Sequence, residues 1–306
     1  MRILFVTSNR LGDAVLSTGL LNHLLRTHPD ARFTVVCGPV AAGLFARMPR
    51  LERIIALEKR QMGGHWLGLW ASVATTWWDL VVDIRGSALS WLVPTRRRAI
   101  MRRSTGHKTM QLAAVLGVNP PPLPVVWTAP EDRAKAAALL PAGRTIVALA
   151  PTANWLPKIW PPERFIAAFQ ALPSGDAVAA VIAGPGDTER AMAAPLLAAL
   201  PGAIDLVGCL TLPEIAAVLA RVSLFVGNDS GLMHLAAASG APTIGLFGPT
   251  NATEYGPAGP NAKVVVAASG RMVDIAVQQI LDAALEIQTP ARDMLGRRDL
   301  GFPLEV

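Results

Sequence analysis

Apolar residues come in short unbroken runs along this chain, and most runs are followed by a stretch of helical spacing. In the first part, Arg2 to Thr7, Arg32 to Cys37, Ile54 to Leu57 and Leu80 to Ile84 read as strands. Asp13 to Arg26, a segment near Ala41 to Arg47, and Gln111 to Leu116 read as helices. Unbroken apolar strands alternating with helices predict a parallel sheet covered on both faces. The pattern stops at Val118 to Pro130, which holds Pro120, Pro121, Pro122, Pro124 and Pro130. Neither a helix nor a central strand tolerates that density, so the segment reads as a linker between two domains, 1–130 and 131–306.

Beyond the prolines the alternation resumes. Glu131 to Leu140 predicts a helix, Thr145 to Ala150 a strand, and a helix starts at Pro161. Ala177 to Ala183, Thr188 to Leu200 and Ile204 to Val207 continue as strand, helix and strand. Thr211 and Glu214 have capping-box spacing ahead of a helix over Ile215 to Val222. Leu224 to Gly227 is a strand that breaks at Asn228-Asp229-Ser230-Gly231, and the small-residue helix Leu232 to Ser239 follows. Thr243 to Phe247 is another strand, closed by Gly248-Pro249-Thr250, and Val273 to Ile287 a last amphipathic helix. The tail from Thr289 is expected to pack back on the first domain. Two Rossmann-like domains facing across a cleft place ligands at the carboxyl ends of both sets of strands.

Composition narrows the class. The 306 residues suffice for two cores, and 52% hydrophobic against 16% charged suits buried parallel sheets. Trp66 to Trp78 carries no charge, but its 13 residues are too few to span a bilayer. The opening run, Ile3 to Val6, is too short for a signal peptide, so a cytoplasmic location is expected. Cys37 and Cys209 stand far apart in no metal-ligand spacing. A net charge of +6 points to an acidic partner: phosphate, anionic lipid or nucleic acid. For nucleic acid the chain lacks aromatic base platforms and a recognisable reading helix.

Three strand-to-helix turns carry the candidate chemistry. Asn228 to Gly231 opens a helix whose first N–H groups and dipole favour an anion, although Asp229 also suits a plain N-cap. Thr7 to Asp13 has no dinucleotide fingerprint. Gly12 frees the turn there, and Asp13 at the helix start is either a general base or a cap. Lys158 is the only lysine between Lys135 and Lys263, in the loop Pro151 to Trp160 after a strand. It suits a diphosphate, or plain solvation. Glu189, after Gly184-Pro185-Gly186, is placed to take ribose hydroxyls or to favour its own helix.

Asp13 after Gly12, Lys158 before Trp160, and Asn228 to His234 with Gly248-Pro249-Thr250 together resemble the ADP-heptose:lipopolysaccharide heptosyltransferases. These form glycosyltransferase family 9, with the GT-B fold, and the resemblance covers nearly the whole chain. It implies an inverting transfer of heptose from ADP-heptose to the lipopolysaccharide inner core, at the cytoplasmic face of the inner membrane. It also implies roles: Asp13 as base, Lys158 on phosphate, Glu189 on ribose, Leu210 beside adenine. Asp229, Ser230, Gly231, Leu232 and His234 would hold the diphosphate and sugar, with Thr152 in the same donor loop. No metal or other cofactor is expected.

The acceptor is expected on the first domain, at Gly12, Lys59, Arg60, Arg85, Arg97, Arg102 and His107. Arg96, Arg97, Arg98, Arg102 and Arg103, with Lys108, make the densest basic cluster. An acidic glycolipid would suit it, and Trp66, Trp70, Trp77 and Trp78 are candidates for the membrane interface. The residues alone also fit a GT-B transferase for another nucleotide sugar or glycan, or a non-catalytic nucleotide-binding adaptor of the same fold.

Overall fold

The computed structural model describes residues 1–58, 64–102, 104–173 and 175–288. Its first half runs β1 (Arg2–Val6), α1 (Leu11–Thr27), β2 (Arg32–Cys37), α2 (Pro39–Ala42), β3 (Leu51–Ala56), α3 (Gly64–Val73), β4 (Trp78–Asp83), α4 (Leu89–Leu92), β5 (Thr95–Ile100) and α5 (Lys108–Ala114). The second half runs α6 (Pro130–Leu139), β6 (Ile146–Ala150), α7 (Pro162–Ala171), β7 (Val178–Val181), α8 (Asp187–Ala199), β8 (Ile204–Asp205) and α9 (Leu212–Leu219). It ends with β9 (Leu224–Asn228), α10 (Gly231–Ala238), β10 (Thr243–Phe247), α11 (Ala252–Tyr255), β11 (Ala262–Val266) and α12 (Val277–Gln288).

The strands form two parallel sheets, ordered β3-β2-β1-β4-β5 and β11-β10-β9-β6-β7-β8. In each sheet the order reverses once, between β1 and β4 and between β9 and β6. The loops beyond those two strand pairs diverge to opposite faces, which opens a crevice at the carboxyl ends.

Side-chain alternation sorts the core into layers. Ile3 and Phe5 point inward with α1, α9 and α10 toward the second sheet's Ala148, Phe225 and Phe247. Leu4, Val6 and Val81 point outward against Leu69 and Val73 of α3 and Leu89 of α4. On the far side, α7, α8 and α12 cover Val147, Leu149 and Val226. Lying between two sheets, α1 is buried nearly all round from Ala14 to Leu21.

The Pro-rich stretch forms neither helix nor strand over 118–129, yet it packs along α1. Val125 N–H donates to the Thr18 hydroxyl at 2.9 Å, and a Cβ on Gly19 would stand 2.4 Å from the Pro122 carbonyl oxygen. Two strands were not anticipated. β5 holds Arg96, Arg97 and Arg98, and β11 leaves Val264 and Val266 exposed; both lie at a sheet edge. The tail expected to return to the first half lies outside the described residues.

Candidate active site

At the first reversal, β1 runs into Thr7 and Ser8 before α1 begins. The N-cap of α1 is Arg10, so Asp13 falls in the first turn without capping it. Half-buried, its carboxylate accepts the Ser8 hydroxyl at 3.3 Å. The capping role that the sequence left open for Asp13 is thereby absent. Across the reversal, the last residue of β4 is the fully buried Asp83. Its carboxylate takes the N–H groups of Arg85 (2.9 Å) and Ser87 (2.8 Å) and the Ser87 hydroxyl (2.6 Å). These bonds order the turn that sends the Arg85 guanidinium to Asn9 Oδ1 at 2.9 Å. The same guanidinium lies 5.1 Å from the Trp66 ring centre.

At the second reversal, Lys158 and Asp229 meet. Nζ of Lys158 lies 2.6 Å from Oδ2 of Asp229, and the Thr250 hydroxyl reaches that oxygen at 2.8 Å. Asn228, wholly buried, fixes the lysine loop from both ends. Its Nδ2 donates to the Pro151 carbonyl (2.7 Å), and its Oδ1 accepts the Trp160 N–H (3.1 Å). Asn228 and Thr250 were not singled out as site residues from sequence. The amide in the Asn-Asp-Ser-Gly turn was the available signal, because a buried amide must be bonded on both sides.

The two reversals come together through α1 and α10. A Cβ on Gly12 would stand 2.8 Å from Cδ2 of His234, and one on Gly231 would stand 2.8 Å from the Leu11 Cβ. Each helix start therefore needs its glycine for the other to approach. Two helix N-termini converge here, and their dipoles add to the positive potential around Lys158. His234 lies buried against Gly12, within the electrostatic reach of Asp229 and Asp13. Burial pushes its pKa down to about 4, against the smaller opposing pull of Asp229 and then Asp13, so at neutral pH the ring is uncharged.

Among the described residues, three buried side-chain polar atoms have no hydrogen-bond partner: Glu189 Oε2, Ser230 Oγ and His234 Nδ1. All three belong to residues singled out from the sequence for the donor. Ser230 is the N-cap of α10, yet its hydroxyl does not cap the helix. The remaining donor candidates are Thr152 and Leu232, both buried, and Leu210, half-buried beside the inner core.

The acceptor candidates are less concentrated. Gly12 and Arg85 lie at the first reversal, and Arg102 is exposed just past the carboxyl end of β5. Arg97 pairs in register with Leu80, toward the opposite end of the sheet, and shares the inner face with Leu80 and Ala99. Arg98 pairs with Val81 on the outer face. The basic run is thus divided between two faces by strand alternation. His107 caps α5, and both ring nitrogens have partners: Thr109, and the Gly256 carbonyl oxygen of the second half at 3.0 Å. Lys59, Arg60 and Arg103 lie outside the described residues. Of the tryptophans, Trp78 is buried and bonded to the Val73 carbonyl, whereas Trp70 and Trp77 are exposed. Among the described residues no group of three or more His, Cys, Asp and Glu is placed to hold a metal ion, and no helix is long and apolar enough to cross a membrane.

Comparison with known proteins agrees with this geometry. Lipopolysaccharide heptosyltransferase 1 of Pseudomonas aeruginosa is 29% identical over 295 residues, covering 82% of this chain and 79% of its own. Lipopolysaccharide heptosyltransferase 3 of Escherichia coli is 22% identical over 284 residues, covering 78% and 81%. A family 9 glycosyl transferase from Veillonella parvula superposes with a TM-score of 0.79 at 21% identity, over 94% of this chain and 96% of its own. The E. coli heptosyltransferase WaaC with ADP gives 0.76 at 19% identity, over 94% and 100%. The fold is GT-B. The model of glycosyltransferase family 9 (heptosyltransferase) matches residues 87–284, and the chain belongs to that family of enzymes.

Proposed function

We propose that this glycosyltransferase moves heptose from ADP-heptose to the inner core of lipopolysaccharide, inverting the anomeric carbon. One observation carries the reading: Glu189, Ser230 and His234, on the helices that follow β7 and β9, each hold a buried polar atom without a partner, and the Lys158–Asp229 pair lies beyond the same carboxyl ends of the second sheet. A ligand with a ribose, a diphosphate and a polyhydroxy sugar offers each of those atoms a partner. The relatives are named as lipopolysaccharide heptosyltransferases, and the E. coli protein has been crystallised with ADP and with ADP-2-deoxy-2-fluoro heptose.

In this reading the second half (131–306) holds the donor and the first (1–130) the acceptor. The diphosphate lies at the start of α10, where Ser230 and Gly231 N–H groups and Lys158 receive it. Lys158 exchanges the Asp229 carboxylate for phosphate, and Asp229, still held by Thr250, turns to sugar hydroxyls. Glu189 takes the ribose, with Thr152 and Leu210 along the nucleotide. The acceptor hydroxyl attacks the anomeric carbon from the side opposite ADP and gives its proton to Asp13. The electron pair of the breaking anomeric C–O bond goes to ADP, leaving an oxocarbenium-like centre, and each preorganised donor facing the negative charge growing on ADP is worth about 3–4 kcal/mol. No metal ion or cofactor belongs to this reading. Arg85 and Arg102 are the basic groups assigned to the acidic acceptor, and the reaction takes place at the inner face of the cytoplasmic membrane.

The test is nucleoside diphosphate release by the purified chain, ADP from ADP-heptose or UDP from UDP-glucose, with core lipopolysaccharide lacking heptose as acceptor. Acceptor-dependent release from ADP-heptose alone is expected. Turnover with the other donor only, or ADP binding without transfer, would overturn the assignment.

A further inference from the structure

The outer layer of the first half breaks the rule for a solvated helix. The helix α3, Gly64–Val73, carries no Asp, Glu, Lys or Arg. Its Leu69 and Val73 are turned into the core, with Trp66 packed partly against it. Leu67 is 72% and Trp70 43% exposed, three residues apart on one face. Beside them on α4, Trp91 is 68% and Leu92 63% exposed. The Trp70 ring N–H donates to the Leu92 carbonyl at 2.9 Å, so the two helices present one continuous apolar surface.

Arginines border that surface. The Arg98 guanidinium sits 5.8 Å from the Trp91 ring centre and donates to the Ser90 and Val93 carbonyls, which fixes it at the rim. Arg96 shares the outer face two residues away and is exposed. Arg53 reaches the Ser72 carbonyl at the other end of α3, and Arg85 covers Trp66 where the layer meets the cleft. Two carboxylates of β4 are hydrogen-bonded: Asp79 by the Arg2 N–H and buried Asp83 by its own turn.

We infer that the α3–α4 surface is where this protein docks on an anionic lipid bilayer. Tryptophan and leucine enter the interfacial zone, arginines meet lipid phosphates, and an uncharged helix face loses nothing there that it holds in water. The arrangement differs from the tryptophan set read from the sequence, since Trp78 is buried and Trp91, Leu67 and Leu92 take its place. Its use follows from position. Arg85 joins the surface to Asn9 and so to the loop before Asp13, so an acceptor rising from the bilayer would reach the base directly. That last step rests on the transferase reading; the docking itself does not.

The test uses the full chain and two kinds of vesicle, phosphatidylcholine alone and phosphatidylcholine with about one-third phosphatidylglycerol. The double variant Trp91→Ser, Leu92→Ser, and separately Leu67→Ser, should lower co-sedimentation with the anionic vesicles about tenfold. Arg96→Glu should weaken binding to the anionic vesicles only, most strongly at low salt. Transfer to a soluble, delipidated acceptor should stay at wild-type rate in all of them. Unchanged vesicle binding in both apolar variants overturns the inference, and so does a wild-type chain that binds neither vesicle. If the variants instead abolish self-association without any vesicle binding, the surface belongs to a second copy of the chain. Variant-sensitive vesicle binding without heptosyl transfer would sink the transferase reading and leave the docking surface standing.

Discussion

Lys158 and Asp229 are 71 residues apart in sequence and 2.6 Å apart in space. They meet because β6 and β9 are neighbours across the point where the second sheet reverses its order. Side-chain exposure is 20% for the lysine and 8% for the aspartate, so the pair is largely withdrawn from water. Buried ion pairs of this kind contribute little net stability, yet breaking one strands the partner charge at a cost of several kcal/mol.

Lys158→Ala should therefore have two separable consequences. Melting temperature falls, because Asp229 loses its counter-charge and keeps only the Thr250 hydroxyl. ADP affinity falls about tenfold or more, as for a lost charge-assisted contact to phosphate, while adenosine binding changes little. Adding Asp229→Asn should restore the melting temperature without restoring ADP binding. Calorimetry showing equal losses for ADP and adenosine would remove Lys158 from the diphosphate site.

For Asp13 the prediction concerns rate alone. Its carboxylate caps no helix and holds only the Ser8 hydroxyl, so Asp13→Asn leaves the fold with little to lose. Turnover should drop by about 100-fold or more, the usual cost of a missing general base, with ADP affinity unchanged. A purified variant turning over at the wild-type rate would mean that another group takes the proton.

Gly12 tests the contact between α1 and α10. Alanine there places a methyl 2.8 Å from Cδ2 of buried His234, and the rigid ring or the helix itself must shift. Gly12→Ala should cost about 1–3 kcal/mol and depress turnover, since α1 also carries Asp13. Gly68→Ala is the matched control. It lies in α3 with nothing within 4 Å of the new methyl, so helix propensity should raise its stability slightly. Identical melting and turnover for the two variants would argue against the tight helix contact.

The parallel sheets were legible because strands buried on two faces must be apolar throughout, as in Ile3 to Val6 or Thr243 to Phe247. The edge strands were not. β5 carries three arginines that keep its open edge from pairing with another chain, and those charges hide it from a search for apolar runs. β11 is short, carries Lys263 and lies at an edge with Val264 and Val266 exposed, so its apolar run is only three residues; the Gly- and Pro-rich 256–261 before it was the available signal. Asp13, Lys158 and Asp229 stood out because each follows a strand at a turn into a helical segment. Their pairing did not, since it depends on sheet order, which no local pattern encodes. The unsatisfied atoms at Glu189, Ser230 and His234 depend on packing around each side chain, and only coordinates reveal them.

His234 gives the site a signature in acid. Folding holds its pKa near 4, below the 6.5 of an exposed histidine, mainly because the ring is cut off from water. As pH falls, the unfolded chain takes up this proton before the folded chain does. Stability from the neutral ring is therefore whole above 6.5 and is lost as pH drops from there through about 4. The full loss is at most roughly 3 kcal/mol, set by the difference between the two pKa values. Denaturant unfolding of wild type and His234→Gln across that window reads the effect, because carboxylates remote from residue 234 titrate alike in both proteins and cancel in the difference. The wild type should fall more steeply than the variant, and the two curves should run parallel above neutral pH. A constant gap across the whole window would mean that the histidine is not buried in its neutral form, and its packing against Gly12 would need another account.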